Sequence, residues 1–477
     1  MKNLLAESPA KRLVDLFDTL IWIIFLVLQV AISFNNTLFS SNEWWWCAAI
    51  VYALLSLSLV SASFGGKANI PAIVNSKYLL LLLVLSLIWI VLSLFLPLAN
   101  PASALIAQSS QALVDTPEWY QINRPWSFTP QKSFLLLLSE FTVFAFLILA
   151  LLVLSSRQRV LQLLMVISLV GVVHALIGIG FKYSNLHLVD LKQLDGHYSA
   201  ARAWFVNRNH YAAFLSLSLV GGLCLIFRSL FDFHQSELRS ATVFAMRLVF
   251  ALTTLLLILV AIILSESRAG FLSILLGLGF LLLVLNQRIK QGKKFWLSLL
   301  LIATFIVIAL TFFGSNLLSR FSLDTGILGE RIVQWQLTWQ IIKQQWFFGY
   351  GANSYADVFQ LFRTDEPLRE VIYNQAHNDY LHIWLELGLF GLLLWILFLG
   401  RVIFTGIGIL KTHGDLFFIS TTVACLSVLS AALLQSLVDF NLQILNIRFY
   451  FFAIIAVVLV LPTISQSCSN EQCFASE

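Results

Sequence analysis

Long apolar runs separated by short polar or charged clusters fill most of the chain. They lie at roughly 19–34, 44–64, 78–98, 134–154, 160–181 and 210–227, then at 248–264, 269–285, 295–313, 380–399, 416–436 and 447–463. A helix of about 20 residues crosses a hydrocarbon layer of ~30 Å and satisfies its own backbone there. Barrel strands would alternate in apolar character over about ten residues, and these solid runs do not. The pattern therefore predicts an all-α polytopic membrane protein of about twelve spans, a single membrane domain over 1–477. Only SESR (265–268) separates the seventh and eighth runs, so a re-entrant hairpin is an alternative there.

Three connections are long: 99–133, 182–209 and 314–379. The last is too long to lack elements of its own. Within it, GERIVQWQLTWQIIKQQWFFGYG (329–351) places Ile332, Trp335, Trp339, Ile342 and Trp346 at spacings of 3 and 4, an amphipathic helix that ends at Gly349 and Gly351. Its Trp-rich face is expected on the membrane surface or capping the bundle, either as packing or as a gate. No repeat of fixed period occurs, and the two halves lack matching Gly/Pro-broken spans, which weakens a transporter reading.

Composition agrees with the pattern. Of 477 residues 59% are hydrophobic and 11% charged, against about a quarter charged in soluble proteins. The net charge of +5 follows the predicted topology. Lys2, Lys11 and Arg12, Lys67 and Lys77, Arg157 and Arg159, Arg228, Arg239 and Arg247, Arg288 to Lys294, and Arg401 and Lys411 fall at the N-terminus and on alternate connections. Both termini are thereby assigned to the cytoplasm. No basic stripe interleaved with aromatics points to nucleic acid. The first span lacks a small-residue cleavage site after it and is expected to be a retained anchor. Cys47, Cys224 and Cys425 fall in spans and Cys468 and Cys473 in the tail, so no disulfide framework is expected on the outer face.

Ionisable groups at membrane depth are costly and tend to face a water-filled cavity. Three clusters stand out, all on the predicted outer side. ARAWFVNRNHYAAF (201–214) brings together Arg202, Asn207, Arg208, Asn209 and His210. SESRAG (265–270) sets Arg268 between two apolar runs, where it snorkels, pairs with Glu266 or faces a cavity. YNQAHNDYLHIWLELGLFG (373–391) carries His377, Asn378, Asp379, His382 and Glu386. His382 and Glu386 share a helix face at i, i+4; a hydrogen-bonded pair is preferred over a metal site, for which too few ligands converge. His377, at the loop-to-helix junction, is placed for proton transfer near neutral pH. Nucleophile elbow, P-loop, dinucleotide fingerprint and H-E-x-x-H are all absent. Arginines at the mouth of a helical bundle suit a phosphate-bearing lipid.

FVNRNHYAAFL (205–215), SESRAG (265–270), the stretch from Arg331 and Trp335 to FGYGANSY (348–355), and AHNDYLHIWLELGLFG (376–391) together resemble the O-antigen ligase and lipid-linked polysaccharide polymerase family of bacterial inner membranes. The resemblance covers about 200–400. It implies a C-type, inverting, metal-independent glycosyltransferase, without cofactor, acting at the periplasmic face with 314–379 as its large periplasmic loop. Its donor would be an undecaprenyl-diphosphate-linked glycan and its acceptor a glycolipid such as lipid A core, or a growing glycan; membrane lipid is the only other partner implied. Ligase and polymerase branches share these motifs. By motif position the family's two essential arginines and one histidine resemble Arg202, Arg268 and His377, with Arg208 an alternative to Arg202. Asn207, Arg208, His210, Arg331 and Asn378 are expected to bind substrate. A transporter of inorganic carbon or polysaccharide is the alternative of another class; a scaffold would leave Arg268 and His377 without a role.

Overall fold

The computed structural model describes residues 9–34, 44–97, 125–184, 200–232, 241–288, 325–363 and 373–474, with a few isolated positions between 303 and 315. The described residues form helices joined by turns and loops, without strands. In chain order the helices are α1 (Pro9–Ser33), α2 (Trp45–Ser63), α3 (Ile70–Asn75), α4 (Lys77–Phe95) and α5 (Pro130–Val153). They continue with α6 (Arg157–Ser184), α7 (Arg208–Ser218), α8 (Val220–Asp232), α9 (Ala241–Leu264) and α10 (Arg268–Arg288). The rest are α11 (Thr325–Gln344), α12 (Tyr355–Phe362), α13 (Asp379–Thr412), α14 (Leu416–Gln435) and α15 (Leu445–Phe474).

Ten helices among the described residues are long and apolar enough to cross a membrane, with α7 and α8 counted as one across the turn at Leu219. The eighth expected span corresponds to α10, whose described apolar stretch, Arg268–Gly279, is shorter. The ninth, 295–313, lies almost wholly outside the described residues, so the expected twelve becomes ten here. At 24 and 21 residues, α9 and α10 each have the length of a full crossing, which disfavours the re-entrant alternative.

The α7–α8 span is wholly buried, and α14 and α15 nearly so, whereas α1, α2, α4 and α13 present large apolar side chains such as Val27, Leu59, Phe95 and Phe404 outward. That inversion of the soluble pattern is expected where lipid is the solvent. Small residues allow close contact at the centre: a Cβ on Gly277 of α10 would lie 2.7 Å from the Ser427 carbonyl of α14. Cys47, Cys224 and Cys425 are free and buried; the side chains of Cys468 and Cys473 lie outside the described residues.

Two opposite faces result. On one, Arg157 meets Asp415 at 2.7 Å, Arg159 donates to the Asp18 carbonyl, and His413 contacts Ser465. Loops at 200–207, 265–267, 373–378 and 436–444 gather on the other.

Candidate active site

The turn between α9 and α10 is built by serines. Ser267 Oγ accepts from Gly270 N at 3.1 Å, capping α10 as Arg268 begins it, and donates to Asn209 Oδ1 at 2.8 Å. Glu266 sits at φ +56°, buried, with Lys182 of α6 at 3.3 Å and Arg208 at 3.9 Å. Backbone pairing of Ala201 N to the Leu264 carbonyl ties the Arg202 loop to the same turn, and Arg202 Nη1 donates to the Val206 carbonyl at 3.0 Å. The first two sequence clusters are thus one assembly: Lys182, Arg202, Arg208 and Arg268 lie around the N-termini of α7 and α10, where the helix dipoles add to the positive potential.

His377 is positioned by α11. Trp335 Nε1 donates to the Ala376 carbonyl at 2.9 Å and Gln334 Nε2 to the Gln375 carbonyl at 2.7 Å, which fixes the chain just before His377. His377 itself adopts φ +48°, a left-handed conformation unusual for a non-glycine residue and of the kind retained at functional sites. Its side chain is 29% exposed.

The connection between α14 and α15 reaches the same place. Its successive carbonyls at Ser436, Leu437 and Val438 accept from Asp379 N, Asn378 Nδ2 and Arg331 Nη1 at 2.9, 2.8 and 2.6 Å. Asp379, buried, accepts in return from Leu442 N. This clamp presents Asp439, fully buried, to His377 Nδ1 at 3.2 Å, Arg331 Nη2 at 3.7 Å and His210 Nε2 at 3.9 Å. Asn209 Nδ2 also donates to the carboxylate. Burial by itself raises the Asp439 carboxyl, but the hydrogen bond from His377 and the charges of Arg331, His377 and His210 outweigh it and hold the group well below the usual carboxylate range. Asp439 is therefore an anion at every ordinary pH.

Arg331 Nη2 lies 3.4 Å from the same His377 nitrogen. That nitrogen cannot both accept from a guanidinium and donate to a carboxylate, and the shorter contact assigns it as Nδ1–H donating to Asp439. Nε2 then carries the lone pair.

The structure places the predicted residues unequally. His377, Arg331 and His210 surround Asp439. Asn209 bridges this group to Ser267, the neighbour of Arg268. Asn207 accepts from Asn209 N and Asn378 accepts from Tyr380 N and Leu381 N, so both asparagines cap helices. Asp439 and Lys182 were missed. Asp439 lies 62 residues from its partner histidine, and its only sequence signal is an acidic residue in the short SLVDFNLQI connection between two apolar runs.

The second histidine is different. His382 Nε2 contacts Glu386 Oε1 at 3.1 Å, and Glu386 accepts from Asn353 N at 2.8 Å and Tyr355 N at 3.0 Å. The expected pair is present, and its task is to anchor the FGYGANSY turn on α13. There Gly388, at φ +68°, allows a backbone approach that a Cβ would close to 2.0 Å from the Phe347 carbonyl. Among the described residues no group of three or more His, Cys, Asp or Glu side chains is arranged to hold a metal ion.

The Trp-rich stripe that begins on α11 faces mostly outward. Ile332, Trp339 and Trp346 are exposed, while Gln334, Thr338, Ile341 and Ile342 are buried. Gln334 and Thr338 turn inward because both reach the Tyr355 hydroxyl, at 3.1 and 3.0 Å.

Residues 253–396 match the family model described as O-antigen ligase. The matched segment contains Arg268, Arg331 and His377; Arg202, Arg208 and Asp439 lie outside it. No curated protein matches the chain.

Proposed function

We infer that this multi-pass helical membrane protein, whose residues 253–396 match the O-antigen ligase family model, has a role in glycan transfer during the assembly of O-antigen or related surface polysaccharides. From that premise we propose that it transfers a glycan from an undecaprenyl-diphosphate carrier to a sugar hydroxyl at the periplasmic face of a bacterial inner membrane, without metal or cofactor. The observation that carries this reading is the join between a cationic helix-terminus assembly and a histidine held by a buried carboxylate.

The chemistry follows from that geometry. Asp439 fixes the His377 ring and stabilises the imidazolium formed when Nε2 takes the acceptor hydroxyl's proton. The acceptor oxygen attacks the anomeric carbon as the bond to the diphosphate oxygen breaks, inverting the centre. The leaving diphosphate departs with the electron pair toward Arg268, Arg208 or Arg202, and Lys182, which match its charge without donating a proton. Arg331 orients Asp439 and the His377 edge. Attack by a glycolipid acceptor such as lipid A core is the ligase reaction; attack by a second carrier-linked glycan is polymerisation.

Incubating purified protein with undecaprenyl-diphosphate glycan in the presence of chelator, with either acceptor, tests this. Transfer should persist with chelator, and Arg268→Lys should lower it about tenfold, since Lys lacks the planar two-pronged donor. Loss of wild-type transfer on chelation would refute the metal-free mechanism. Reporter fusions should place residue 340 outside the cytoplasm and residue 414 inside; the reverse would put the site on the wrong face.

A further inference from the structure

On the face opposite the active site, a groove of about 590 Å³ opens between α1, α6, α8 and α14. Its wall is mostly apolar, with Leu26, Leu161, Met165, Val166 and Phe417 beside the amides of Gln158 and Gln162, and the lining also carries Arg157 and Arg228. From Arg157 to Val166 the groove follows α6 for nine residues, about 13 Å at 1.5 Å per residue.

Among the described residues, the mouth has more positive charge than its neighbours neutralise. Arg157 pairs with Asp415 at 2.7 Å, yet its buried Nε has no hydrogen-bond partner. Asp415 also accepts from Phe417 N at the start of α14, so this one carboxylate serves a helix cap as well. The Arg157 guanidinium lies 4.8 Å from the Phe418 ring centre and 5.3 Å from that of Phe417, which fixes its plane. Arg228 has no ion pair among the described residues. Among the described side chains, two guanidinium groups face one carboxylate at the head of a mostly apolar channel.

We propose that this groove binds an anionic glycerophospholipid, with its phosphate on Arg157 and Arg228 and one acyl chain along α6. A small anion would leave the apolar wall in water, and a zwitterionic lipid would set its own cation against the arginines. The proposal is independent of the glycosyltransferase reading. The proposed orientation enters only in naming the leaflet, which is the cytoplasmic one.

Full-length protein stripped of lipid in neutral detergent would be titrated with dioleoyl phosphatidylglycerol, dioleoyl phosphatidylcholine and inorganic phosphate, with bound molecules counted by native mass spectrometry. Phosphatidylglycerol should bind about tenfold more tightly than phosphatidylcholine, as two arginines near a lipid phosphate imply. Inorganic phosphate should not compete. Arg157→Gln combined with Arg228→Gln should bring the two lipids to parity. Leu161→Trp, which keeps both arginines and fills the wall, should weaken both lipids and covers the case in which the double variant does not fold. Equal binding of the two lipids by the wild type, an undiminished preference in a folded double variant, unchanged binding in Leu161→Trp, or displacement by millimolar phosphate would each overturn the proposal.

Discussion

Two histidines close together in the chain each meet a carboxylate, His377 with the distant Asp439 and His382 with Glu386, at 3.2 and 3.1 Å. Their distances are alike and their surroundings are not. Glu386 spends both oxygens on backbone N–H groups of the FGYGANSY turn, and His382, with 4% of its side chain exposed, is stacked on Tyr355 at 4.9 Å. Asp439 is equally buried, but its polar partners are mostly side chains that bear or can acquire positive charge, and His377 keeps 29% of its side chain open. A buried carboxylate committed to backbone donors stabilises a fold, whereas one committed to a partly open histidine can serve proton transfer. Distance alone does not separate the two cases.

The largest test of this contrast is to remove each ring. His377→Ala should lower glycan transfer by ~10² to 10⁴ while leaving the thermal unfolding midpoint near that of wild type. His382→Ala should do the reverse, lowering the midpoint with activity per folded molecule retained. If His382→Ala abolishes transfer in a fully folded protein, the division of roles is wrong.

A smaller effect is expected at the carboxylates. Glu386→Gln removes one acceptor oxygen from a buried site with two N–H donors, a loss of about 1–3 kcal/mol. Chemical denaturation in detergent should report it as a lower midpoint, and an unchanged midpoint would show that the turn does not depend on the charge.

The smallest expected effect lies in acid. Because the folded-state pKa of Asp439 is lowered, its ionisation contributes stability above about pH 4, and this is lost as pH falls through the lowered value. Asp439→Asn lacks that contribution, so between pH 4 and pH 2 the wild type should lose more of its unfolding midpoint than the variant. Equal losses would mean that the surrounding cations do not stabilise the carboxylate.

Much of this was legible in the sequence, for stated reasons. Solid apolar runs predicted the helices, and the 3–4 spacing predicted α11. His377 was identifiable because it combines a titratable ring with a loop-to-helix junction, and His382–Glu386 because i, i+4 neighbours share a helix face. Asp439 was not legible, since what makes it important is a set of contacts to α7, α11 and the residues before α13, none near it in sequence. The polar residues on the inward face of α11 were not legible for a related reason. Periodicity ranks Trp above Gln for burial, and here the Tyr355 hydroxyl gives Gln334 and Thr338 partners that reverse that order.

The origin of Asp439 in the last connection also has a consequence in time. Chains are made at roughly 5–20 residues per second, so the 62 residues separating His377 from Asp439 take on the order of 3–12 seconds to follow. During that interval the histidine has no carboxylate to fix its tautomer, and the Ser436–Val438 carbonyls that hold Asp379, Asn378 and Arg331 do not yet exist. The nascent chain already carries both arginine-bearing loops while His377 still lacks its carboxylate partner. Under the proposed mechanism, competence for transfer arrives with insertion of the final helical hairpin, α14 and α15, and a ribosome stalled before residue 439 would leave an inert intermediate in the membrane.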